Sequence, residues 1–64
     1  MTTHVVRIRN VTYAVLTEAH GANWYASGEF DGEIIKIIAP SERTALRRWG
    51  EAVLLRLDTT ERKG

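Results

Sequence analysis

The chain has no cysteine and a single proline among its 64 residues. The first absence excludes disulfides, thiolate metal sites and a thiol nucleophile, and it fits a reducing compartment. Such a short chain buries only about 60% of its unfolded surface, so without a covalent or metal staple the remaining way to add buried area is association. Charge of one sign is also lacking: nine Lys and Arg stand against eight Asp and Glu. That balance places no demand for nucleic acid or an anionic membrane. No apolar run approaches the roughly 18 residues of a membrane-spanning helix, and no basic-then-apolar leader opens the sequence. The expectation is a soluble, cytoplasmic protein. At 44% hydrophobic and 27% charged residues, the composition is that of a folded domain.

Phosphate-binding glycine patterns are missing as well. Gly21, Gly28 and Gly32 form neither G-x-G-x-x-G nor a Walker motif. Ser27 and Ser41 have no histidine or lysine placed to activate them, and His4 and His20 have no partner at metal-ligand spacing. Glu18, Glu29, Asp31 and Glu33 cluster around one hairpin, but a raised carboxylate pKa needs burial that a hairpin end lacks. No catalytic residue, metal site, cofactor or small-molecule substrate is indicated, and the expectation is a protein that is not an enzyme.

What is present is a ruler. Asp31-Gly32 lies between two alternating runs, the strongest short-range hairpin signal. Counting outward from it places Gly28 opposite Ile35, Ala26 opposite Ile37 and Trp24 opposite Ala39. Trp24, Ala26, Gly28, Phe30, Ile35, Ile37 and Ala39 then share one face. Upstream, Val6 and Ile8 alternate in one phase, while Val11, Tyr13 and Val15 alternate in the other. Either a one-residue bulge or a tight turn at Arg9-Asn10 keeps all five on one face, giving three strands or four. His20-Gly21-Ala22-Asn23 reads as a four-residue loop that sets Ala19 opposite Trp24 and Val15 opposite Gly28. The two hairpin registers then agree on their inner face.

Pro40 ends the last strand, Ser41 is a favoured N-cap, and Glu42 stands where the helix dipole prefers an anion. Ala45, Leu46, Trp49, Ala52, Val53 and Leu57 form one stripe at 100° per residue. Gly50 costs about 1 kcal/mol relative to Ala, yet the stripe stays in phase through it. A break there would make residues 52–57 a separate element. The expected fold is α+β: an antiparallel meander with strands at about 4–8, 11–19, 24–30 and 33–39, and a helix at about 41–56 packed on one face. Residues 1–57 form the domain and residues 58–64 are expected to be a disordered tail. Trp24 and Trp49 are expected to be the two largest pieces of the core.

Two surfaces are left over. The outer sheet face should be polar at nearly every second position, yet it carries Leu16, Tyr25, Ile34 and Ile38. Such a patch marks a protein contact, either with a partner or with a second copy in a homodimer. The alternative surface is basic: Arg43, Arg47 and Arg48 on the helix, with Arg7 on the sheet, are candidates for phosphate contact.

The segment Gly21-x-x-Trp24-x-Ala26-Ser27-Gly28-Glu29-Phe30-x-Gly32, followed by Ser41, Ala45 and Trp49, resembles small uncharacterised bacterial proteins. That resemblance spans residues 9–53 and implies no function. Trp24-x-Ala26, Glu29-Phe30 and the helix residues Ala45 to Trp49 are also similar to the plant AP2/ERF domains and the arm-binding domains of tyrosine recombinases. That likeness implies three strands and a helix, with DNA read by arginines on the exposed sheet face. This chain departs from it by placing Glu18, Glu29 and apolar residues there.

Overall fold

The structure, a computed structural model, describes residues 2–63 and the side chains of residues 2–58. Four strands, β1 (Thr2–Ile8), β2 (Val11–His20), β3 (Asn23–Phe30) and β4 (Glu33–Ala39), form an antiparallel sheet in the order β1-β2-β3-β4. One helix, α1 (Glu42–Lys63), follows and covers one face. The turn and not the bulge joins β1 to β2. Arg9 and Asn10 both adopt positive φ, 50° and 68°, as a type I′ turn requires. The Arg7 guanidinium donates to Asn10 Oδ1 at 3.3 Å across that turn. Asp31 and Gly32 repeat the pattern at 53° and 82°.

The middle connection is tighter than its composition suggests. His20 pairs with Asn23, so only Gly21 and Ala22 turn the chain. Gly21 has φ 64° and Ala22 does not share the positive region, the type II′ pattern that needs glycine first. Ala19 still faces Trp24 and Val15 still faces Gly28, because shortening the loop by one residue at each end leaves the register unchanged. Between β3 and β4, Gly28 faces Ile35, Ala26 faces Ile37 and Trp24 faces Ala39, the pairing counted from Asp31-Gly32.

The core lies between the sheet's inner face and α1. Ile8, Val15, Ala26, Ile35 and Ala39 meet Ala45, Trp49 and Val53. Trp49 is fully buried, and its ring passes directly over Gly28, where a Cβ would stand 2.8 Å from Trp49 Cζ2. Its indole N–H donates to the Ile35 carbonyl at 3.0 Å, and Tyr13 meets it edge-on at 5.6 Å between ring centroids. Tyr13 continues to Phe30 at 5.9 Å. Trp24 departs from expectation: it is only half-buried, at the end of the inner face, beside exposed Ala19.

Ser41 caps the helix. Its Oγ accepts from the Thr44 N–H at 3.2 Å and its carbonyl accepts from the Ala45 N–H at 2.9 Å. The helix runs through Gly50, whose missing side chain faces Ile8 Cδ1 at 3.8 Å, an ordinary contact distance for a Cβ. It then continues to Lys63, past the expected end at about residue 56 and past Leu57, the last residue of the core-facing stripe. Residues 58–63 are therefore helix and not a disordered tail. No glycine or proline occurs between Gly50 and Gly64, and once nucleated a helix adds a hydrogen bond for each residue it orders. Gly64 lies outside the described residues.

Candidate functional site

The pleat assigns the outer face. Thr3, Val5 and Arg7 of β1, Thr12, Ala14, Leu16, Glu18 and His20 of β2, Tyr25, Ser27 and Glu29 of β3, and Ile34, Lys36 and Ile38 of β4 all point away from α1. Tyr25 is the centre of one half of this face. It pairs with Glu18 on one side and Ile38 on the other, and Leu16 lies diagonal to it. His20 stacks on its ring at 5.2 Å with the planes 4° apart, and the Lys36 ammonium sits 4.6 Å from its centroid. These two neighbours leave Tyr25 half-buried, while Leu16 and Ile38 remain 42% and 52% exposed.

Leu16, Tyr25 and Ile38 are thus brought together. Ile34 is not. Lys36 lies between it and Ile38 on β4, and Ile34 faces Glu29 instead. Val5, 73% exposed and opposite Ala14, is a further apolar position at the sheet's other side. The same alternation that marked the other four residues reaches Val5, but it stands alone on its strand among Thr3 and Arg7. The face carries Arg7 and Lys36 against Glu18 and Glu29, two charges of each sign.

The basic candidates do not form one surface. Arg43, Arg47 and Arg48 are exposed on α1, which packs on the inner face, whereas Arg7 is on the outer face. The whole sheet separates them. Arg43, Thr44 and Arg47 line a shallow depression of about 390 Å³. Arg56 turns back to the sheet and donates to Glu33 Oε1 at 2.9 Å. Glu33 therefore faces the helix, Glu18 and Glu29 sit in different rows of the outer face, and Asp31 is in the turn. Among the described residues, no three His, Asp or Glu side chains converge as metal ligands, and no helix is long and apolar enough to cross a membrane.

One polar cluster has no local signature in the sequence. Thr17, fully buried on the inner face, donates its hydroxyl to Glu42 Oε2 at 2.7 Å and lies 3.2 Å from the Thr2 carbonyl. His4 Nε2 lies 2.9 Å from the same Glu42 oxygen. The cluster ties β1 and β2 to the first turn of α1. The Thr17 hydroxyl, and then the His4 ring, hold the Glu42 carboxyl below its ordinary pKa of 4.5. Thr17 is fully buried and its hydroxyl is held between Glu42 and the Thr2 carbonyl.

Comparison with protein-family models, with curated proteins and with solved structures finds no match to this chain.

Proposed function

We propose that this chain is a small non-catalytic association module whose contact surface is the outer face of the sheet. The observation that carries the reading is the row formed by Leu16, Tyr25 and Ile38 on the face opposite the helix, in which exposed Leu16 and Ile38 flank a half-buried Tyr25. A solvated antiparallel face alternates with polar side chains, and contiguous apolar surface rimmed by charge is the usual mark of a protein contact. Two basic and two acidic side chains on the same face make it complementary to itself, which suits a second copy of the chain.

Size sets the expected strength. Four strands about 4.8 Å apart and seven residues long make a face of roughly 440 Å² in projection, about half the area per partner of a standard stable interface. The contact is accordingly weak and concentration-dependent. Sedimentation velocity at increasing concentration tests it: association that Leu16→Glu and Ile38→Glu both weaken is expected. Association indifferent to both substitutions overturns the assignment of the face. The second reading, phosphate contact by Arg43, Arg47 and Arg48, lacks support from Arg7 on the opposite side. Its test is a salt-dependent shift with generic duplex DNA at low ionic strength.

A further inference from the structure

The sheet has two edges, and the fold treats them differently. A two-residue turn is closed by a hydrogen-bonded pair, and such pairs alternate along an antiparallel ladder. From the Arg9-Asn10 turn, Ile8–Val11, Val6–Tyr13, His4–Val15 and Thr2–Thr17 are the hydrogen-bonded pairs. Thr3, Val5 and Arg7 therefore direct their N–H and C=O groups away from β2, along the open edge. The same count from Asp31-Gly32 leaves Ile34, Lys36 and Ile38 facing outward on β4. The β4 edge is guarded. Lys36 stands at its middle, Pro40 follows its end, and α1 lies chiefly over β4 and β3. The β1 edge has no lysine, proline, glycine or bulge, and the helix touches β1 least.

We propose that two copies of this chain join by antiparallel pairing of β1 with the partner's β1, centred on Val5. In that register Val5 faces the partner's Val5, and Thr3 faces the partner's Arg7. Each of these is a pair of outward-directed residues that exchanges two backbone hydrogen bonds. No like charges meet, because His4 and Val6 oppose one another on the inner face and Thr3 opposes Arg7 on the outer. The corresponding self-pairing of β4 sets Lys36 against the partner's Lys36, which like-charge repulsion disfavours. The two-fold axis stands perpendicular to the sheet, so both helices stay on one side and the two outer faces become coplanar. The joined face is roughly 880 Å² in projection, the size that a standard interface uses on each side. The pairing itself follows from the edge groups and stands without the outer-face reading.

A position that meets itself on a two-fold axis has a specific test. The Val5 side chain is largely exposed in the single chain, so Val5→Lys and Val5→Glu leave the fold intact, which circular dichroism checks. Each variant alone should self-associate about tenfold or more weakly than the parent. An equimolar mixture should restore a dimer of one copy of each, seen by native mass spectrometry. Ile38→Glu, which removes the outer-face contact, should leave this dimer in place. In the parent chain, amide exchange at Thr3, Val5 and Arg7 should slow as concentration rises, while His4, Val6 and Ile8 are protected throughout. A mixture with no heterodimer, or Thr3, Val5 and Arg7 amides that exchange freely at every concentration, overturns the pairing.

Discussion

Replacing Gly28 with alanine should destabilise this domain, although glycine is ordinarily a poor strand residue. A Cβ at this position would lie 2.8 Å from Trp49 Cζ2, 3.1 Å from Trp49 Cε2 and 3.0 Å from the Ala14 carbonyl oxygen. The indole cannot simply retreat, since its N–H is bonded to the Ile35 carbonyl and its ring is packed by Tyr13. Overpacking of this kind costs about 1–3 kcal/mol, against which alanine returns up to about 1 kcal/mol by restricting the unfolded chain. The net loss is about 1–2 kcal/mol, from a total of roughly 3–10 kcal/mol for a domain of this length. With a urea dependence near 1 kcal/mol per molar, the unfolding midpoint should fall by about 1–2 M. Far-ultraviolet circular dichroism follows unfolding in every variant. In a Trp49→Phe background the benzo ring that carries Cζ2 and Cε2 is gone and only the contact with the Ala14 carbonyl remains, so Gly28→Ala should cost much less there. The two substitutions then couple by at least about 1 kcal/mol in a double-mutant cycle. A midpoint that is unchanged by Gly28→Ala, or lowered equally in both backgrounds, refutes the packing of Trp49 over Gly28.

Three further outcomes are expected. Ser41→Ala removes the acceptor for the Thr44 N–H and should cost about 1 kcal/mol in chemical unfolding. Gly50→Ala fills ordinary contact space against Ile8 within an unbroken helix and should raise stability by up to about 1 kcal/mol, whereas a loss would show that the helix does not run through that position. Glu42 has a folded-state pKa below its ordinary 4.5, so its stabilising contribution is fully present above 4.5 and lost as pH falls through the lower folded value. The stability gap between the parent and Glu42→Gln should therefore hold steady above pH 4.5 and close on further acidification; a gap that widens there contradicts the Thr17 and His4 contacts.

Much of the fold was legible because its signals are periodic. Asp31-Gly32 set a register, the alternation carried it across three strands, and the in-phase stripe from Ala45 to Leu57 identified the covering helix. Ser41 was readable as a cap from its type and place. The Arg9-Asn10 turn was legible only as one of two alternatives, since arginine at positive φ is rare and a bulge satisfies the same pattern. What escaped is what periodicity does not encode. The Thr17–Glu42–His4 cluster joins residues 25 and 38 positions apart across three elements. The half-burial of Trp24 goes with its place at the end of the inner face, beside exposed Ala19. The end of the helix was misplaced because the apolar stripe stops near Leu57 while the backbone, meeting neither glycine nor proline, continues to Lys63. At the candidate site, alternation named the outer-face residues and already puts Lys36 between Ile34 and Ile38, but the Lys36 ammonium and the His20 ring against Tyr25 arise from side-chain placement.

The outer face gathers Leu16, Tyr25 and Ile38 on a chain too small to bury a large core, and the β1 edge beside it is unguarded. Sedimentation equilibrium of the intact chain, from micromolar to millimolar concentration, tests the association account most directly. The account predicts a weight-average mass that rises reversibly above the 7.2 kDa of a single chain. A mass that stays at 7.2 kDa across the whole range contradicts it.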